Sequence, residues 1–350
     1  MLGLARDKAL PKRLDIEWEA RVSGHVISLG LSPNGSMLAA ASADGPITLI
    51  AQDTGRIHIE MAGHNGGTAQ VEWRPGADTL ASAGMDGKVR LWKGATGEQV
   101  TLLDCGTGWV ECLAWSPRGE YLATATGRRL RLWDFTDSNS EGRLIREFPA
   151  QESTISDIGW KPGTEDVLAS CGLNGLSLWS PTGETCTRHL PWIGSMLRLA
   201  WSPNGKYIVT GNQDSTIQFW LMETGKELRM WGYPSKIREL AWDSKSRYLA
   251  TGGSATGVVW DCSGKGPAGS KPLLLDFHAA LLTQLVFENE GLMIASGCQE
   301  GLVAVWRLGK DSRPMRTAHL GSAVTQLLWA GGNSRIVAAT ADGQVMVLRT

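Results

Sequence analysis

Two series of large apolar residues, mostly tryptophan, run through this chain in step with one another. The first falls at Leu31, Trp73, Trp115, Trp160, Trp201, Trp242, Phe287 and Trp329, each 41 to 45 residues after the last. The second follows 18 or 19 residues behind, at Ile50, Trp92, Trp133, Trp179, Trp220, Trp260, Trp306 and Leu348. Twelve of the 16 Trp belong to these series, so a repeat sets the composition. A unit of this period cannot bury its own apolar faces and must stack on its neighbours.

The residues between the anchors say what the unit is made of. Short phrases surround the first anchors: LGLSPNG, VEWRPG, LAWSPRG, IGWKPG, LAWSPNG, LAWDSKS, LVFENEG and LLWAGGN. In the second repeat, LASAGMDGKVRLW reads as a strand, a turn at Asp86-Gly87 and an alternating strand ending in Trp92. Matching turns stand at Asp44-Gly45, Asn174-Gly175, Asp214-Ser215, Glu300-Gly301 and Asp342-Gly343. Gly127-Arg128 and Ser254-Ala255 depart from that chemistry. Each period holds about four short strands, which makes the chain all-β.

From about Asp15 to Thr350 the pattern resembles the WD-repeat family, although at the second anchors Trp-Asp survives only at Trp133-Asp134 and Trp260-Asp261, and Gly-His only at Gly24-His25 and Gly63-His64. The resemblance implies one closed β-propeller of four-stranded antiparallel blades over residues 1–350. Eight sets of inner strands predict eight blades; the alternative is seven, with the first repeat, which lacks both Trp anchors, as the irregular one. The last repeat stops at QVMVLRT without an outermost strand. Residues 12–20, where Leu14, Ile16 and Trp18 alternate with acidic residues, have the period of a half-buried strand. The resemblance implies that they close the C-terminal blade.

The resemblance also implies a buried tetrad of His, Ser or Thr, Asp and Trp. His64, Ser82, Asp86 and Trp92 match it in full, His278, Ser296, Glu300 and Trp306 nearly, and Thr210, Asp214 and Trp220 lack the His. Repeat phase explains these groups as structural, not as a catalytic triad. A polar row precedes each first anchor by three residues: Ser28, Gln70, Cys112, Asp157, Arg198, Glu239, Gln284 and Gln326. Within it, Asp157, Arg198 and Glu239 fall on consecutive blades, with Arg198 between two carboxylates as an ion-pair network or a channel site.

Residues that the repeat does not require are the better candidates for partner binding. Trp109, Trp192 and Trp231 precede innermost strands, near Met85, Arg128, Arg129, Tyr233 and Lys236. Trp, Tyr and Arg dominate interface hot spots because they offer rigid contact area with a polar handle.

Charge and composition narrow the function. A net charge of −1, with no basic tract, gives no electrostatic case for nucleic acid. No run of 18 apolar residues suggests a membrane span. Phosphate-binding and His-Glu-x-x-His motifs are absent, and six cysteines without CxxC spacing suit a reduced, cytoplasmic protein. The expectation is a non-catalytic scaffold without cofactor, binding a protein or peptide through rim loops, monomeric or part of a larger complex. The alternative is a small-ligand sensor or enzyme using the channel. Metal handling by His25, His64, His189, His278 and His319 is weaker, because the ring separates them.

Overall fold

The computed structural model describes residues 10–137, 141–264, 266–309, 313–332 and 334–350. Two insertions, at 136–144 and 262–272, whose Gly-, Ser- and Pro-rich sequences predict loops, fall partly outside these residues. All regular structure among the described residues is strand.

Each anchor has a distinct bonding duty, which explains the repeat. The second anchor bonds within its blade: the Trp92, Trp133, Trp179 and Trp306 indoles donate to Ser82 (2.9 Å), Thr124 (3.1 Å), Ser170 (2.8 Å) and Ser296 (2.9 Å). The first anchor reaches the preceding blade. Trp73 donates to the Gly30 carbonyl (3.2 Å), Trp160 to Ala114 (2.9 Å), Trp201 to Gly159 (3.1 Å) and Trp329 to Val286 (3.1 Å). A side chain at Gly30 would stand 3.1 Å from the Trp73 ring, so glycine lets the indole approach. Apolar clusters span neighbouring blades, as where Leu91 and Leu103 pack with Leu113 and Trp115. The core is therefore a set of wedges between sheets.

Hydrogen bonding gathers the strands into seven sheets, one of them six-stranded. That sheet contains two blades. Trp179 reaches Ser170 across the strand Leu168–Trp179, although nine residues of straight strand would separate them by about 30 Å. The chain doubles back at Asn174 and Gly175, both with positive φ (71° and 137°). The strand Arg188–Trp201 then runs from the outer edge of the fourth blade into the innermost position of the fifth, and Leu173 pairs with Ser195 across the junction. Innermost strands touch in a closed cycle of eight, from Val26–Leu31 round to Val324–Ala330 and back. The ring thus has eight repeat units in seven sheets. The lower number comes from this fusion, not from the first repeat, which forms a complete sheet, Val26–Leu31 to Ile57–Met61.

The N-terminal segment closes the ring with different bounds from those expected. Asp15–Arg21 pairs antiparallel with Gln344–Arg349 as the outer strand of the eighth blade. Lys12–Arg13 belongs instead to the seventh, where it adds a fifth, parallel strand beside Arg316–His319. A buried Leu14 between the two forces the separation, because its side chain fills the core shared by both blades. Glu17 pairs with Arg335 (2.7 Å) and Arg349 (2.5 Å), which hold its carboxyl below the usual range despite some burial. The Trp18 indole donates to Gln52 of the first blade at 2.9 Å, spanning the seam.

Candidate functional site

The loops before the innermost strands share one face with the hairpin turns, because antiparallel pairing sets them side by side. Val110 pairs with Thr126, which puts Trp109 next to the Gly127-Arg128 turn. Met196 pairs with Asn212 in the same manner. On this face the structure exposes Trp109 (57%), Leu173 (48%), Ile193 (95%) and Trp231 (75%), together with Leu281, on blades three to seven. Leu173 and Ile193 lie together at the fused junction, since Leu173 pairs with Ser195. Lys236 is also exposed. The expected rim missed Leu173, Ile193 and Leu281. Their signal in the sequence is an apolar residue in a turn or loop that the repeat leaves free.

Other expected rim residues have duties inside the protein. Tyr233 belongs to the sixth blade: its hydroxyl accepts the Trp260 indole N–H (2.9 Å) and lies 2.9 Å from the Thr251 hydroxyl. Trp192 is partly buried beneath Arg229, whose guanidinium stacks 4.9 Å from its ring centroid. Met85 is half-buried against Gly66 and Gly67. Arg129 pairs with Glu147, and Arg128 donates to the Gln151 carbonyl at 2.5 Å. Both arginines are exposed but committed.

The internal networks follow the second anchors. In the second blade, His64 bonds Asp86 through Nδ1 and Ser82 through Nε2, both at 2.8 Å. Burial lowers the His64 pKa against the pull of Asp86. Burial would raise Asp86, but its bonds from His64 and Arg90 hold it below the usual value. The seventh blade is incomplete: His278 bonds Ser296 at 2.7 Å, but its Nδ1 has no partner, so Glu300 does not join. Burial lowers the His278 pKa to about 4. In the fifth blade, Thr210 connects to Asp214 through Asn212 and Thr216. The position of the histidine is taken by Gln151 in the fourth blade and by Cys105, 3.7 Å from Thr124, in the third. These groups satisfy buried turns and offer no open nucleophile.

The polar channel row mostly links blades. Ser28 accepts from the Val71 N–H (3.2 Å), and Gln70 accepts from the Leu113 N–H (3.1 Å) and donates to its carbonyl (3.0 Å). Cys112 donates to Ser156 (3.6 Å), Asp157 accepts from the Leu199 N–H (3.0 Å), Gln284 donates to Thr325 (2.8 Å) and Gln326 to Ile27 (2.9 Å). Arg198 does not bridge two carboxylates. It lies 3.7 Å from Asp157, while Glu239 folds back over Gly252 of its own blade. Burial raises the pKa of both acids, against the pull of Arg198 on Asp157 and of backbone hydrogen bonds on each. No group of three His, Cys, Asp or Glu side chains converges as a metal site among the described residues.

One further carboxyl in this wall, Glu72, has no cation near it, and burial pushes its pKa up to about 8. Between the ordinary value of 4.5 and about 8, the unfolded chain releases this proton while the folded chain keeps it. Stability is therefore lost as pH rises through that window. Glu72→Gln is expected to raise stability at pH 9 by on the order of 2 kcal/mol and to change it little at pH 4. Urea denaturation at the two pH values measures this, and equal effects at both would refute it.

The family model "WD domain, G-beta repeat" matches residues 18–45, 55–93, 97–134 and 182–220. Those four stretches of the chain are similar to the WD-repeat family, and the fold is a β-propeller. Among curated relatives it is 25% identical to WD repeat-containing protein AAC3 of Dictyostelium discoideum, over 47% of this chain and 35% of that protein. It is 23% identical to THO complex subunit 3 of Arabidopsis thaliana, over 59% of this chain and 65% of that protein. It is 27% identical to Protein HIR1 of Cryptococcus neoformans over 44% of this chain and 20% of that protein. The matches thus span less than two thirds of each relative. The computationally designed Ika8 protein has the same fold, with a TM-score of 0.80 and 20% identity, covering 97% of this chain and all of that one.

Proposed function

We propose that this protein is a non-catalytic interaction platform, binding a protein or peptide partner across the loop face of blades three to seven. One observation carries the reading: Trp109, Leu173, Ile193, Trp231 and Leu281 project from a single face and serve neither the cores nor the internal networks. Exposed aromatic and aliphatic groups gathered on one side mark interaction surfaces. A WD-repeat relative named as a subunit of a complex supports a partner of the same class. Six unpaired cysteines are in keeping with a reducing, cytoplasmic setting.

The test compares the wild type with Trp109→Ala/Trp231→Ala. Both side chains are largely exposed, so the melting temperature is expected to hold within about 2 °C. Affinity for a partner captured from the native host is expected to fall at least about 100-fold, as for two hot-spot tryptophans. Equal retention by a folded double variant would remove this face as the site.

A further inference from the structure

The links between blades along the channel fail twice in succession, at Arg198 and Glu239. The innermost strand of the sixth blade is only Leu240–Trp242, so Arg238 and Glu239 precede its ladder, although the Gly252 N–H still bonds the Glu239 carbonyl (3.0 Å). A cavity of about 370 Å³ opens at this gap, lined by Asp157, Arg198, Arg238, Glu239, Gln284 and Gln326 among others. We propose that it binds a small zwitterion, a molecule with one carboxylate and one ammonium group and the size of a free amino acid or dipeptide. This ligand is separate from any partner held by the exposed rim.

Uncommitted hydrogen-bonding groups select that chemistry. Arg198 is 51% exposed, and its contact with Asp157, at 3.7 Å, is too long for a hydrogen bond. The Arg238 side chain is exposed and near enough to Glu239 to favour its charged form, but it is held in no hydrogen bond or ion pair among the described residues. Two guanidinium groups with free donors suit a carboxylate, which takes paired N–H bonds. Gln284 and Gln326 commit their amide nitrogens to the next blade, which leaves their amide oxygens as acceptors. Asp157 and Glu239 already accept backbone N–H bonds, and their remaining lone pairs add to the acceptor side that an ammonium group requires. The charges nearly balance, which disfavours a multiply charged anion such as a phosphate ester. The polar lining offers little to an apolar ligand.

The probes are free glutamine and the dipeptide Ala-Gln, titrated calorimetrically against the full chain beside their N-acetylated and C-amidated forms. The unblocked compounds are expected to bind with Kd of about 1 mM or tighter, and each blocked form at least about tenfold more weakly. Arg238→Gln is the main variant because the Arg238 side chain is exposed, and it is expected to lose at least about tenfold in affinity. Arg198→Gln is expected to do the same, while Trp109→Ala/Trp231→Ala leaves the titration unchanged. No binding of the unblocked probes at about 10 mM, equal binding of the blocked forms, or unchanged binding by Arg238→Gln would each overturn the proposal.

Discussion

A chain beginning at Ser23 is expected to melt about 5–10 °C below the full-length protein and to associate with itself on warming. Without Asp15–Arg21, the strand Gln344–Arg349 keeps Arg335–Thr340 on one side but loses its outer partner and becomes an open edge. Leu14 leaves a core where its side chain is wholly buried, and Glu17 leaves two arginines unpaired. The point variant Leu14→Ala isolates the packing component and is expected to cost about 2–4 kcal/mol. Differential scanning calorimetry with size-exclusion chromatography reads both effects. A truncated chain that melts unchanged and stays monomeric would mean that the eighth blade holds without its outer strand.

Ser82→Ala is expected to cost about 3 kcal/mol, although it removes a single oxygen. That oxygen accepts from the Trp92 indole N–H. With His64 Nδ1–H donating to Asp86, the Ser82 hydroxyl donates in turn to Nε2. Alanine would strand an indole N–H and an imidazole nitrogen where no water reaches, and unsatisfied buried groups cost more than a bond contributes. Ser170→Ala should behave alike, because Gln151 and Trp179 converge on Ser170 as His64 and Trp92 do on Ser82. Chemical denaturation measures both, and losses under about 1 kcal/mol would show that these networks order the turns without stabilising them.

The anchors were legible because a large side chain at a fixed phase leaves a mark on any sequence. The His64 network was legible for the same reason. Its counterparts at Gln151, Cys105 and Tyr233 were hidden, since the site asks only for a group that reaches a buried hydroxyl, and amide, thiol and phenol all do so. Tyr233 was read as surface because a tyrosine in a loop looks the same whether its hydroxyl faces water or Thr251. The Arg198 bridge failed on geometry: Glu239 precedes a shortened strand, so its phase does not fix its direction. Ile193 and Leu281 were passed over because a lone aliphatic residue in a loop carries less signal than a tryptophan.

The fused fourth and fifth blades make one strand serve two sheets. Arg188–Trp201 is the outer edge of one blade and the innermost strand of the next, so its sequence carries two side-chain patterns in series. An insertion between them would break a ladder instead of lengthening a loop. Leu173 and Ile193 are exposed at this join, so the apolar part of the rim is a product of the join itself.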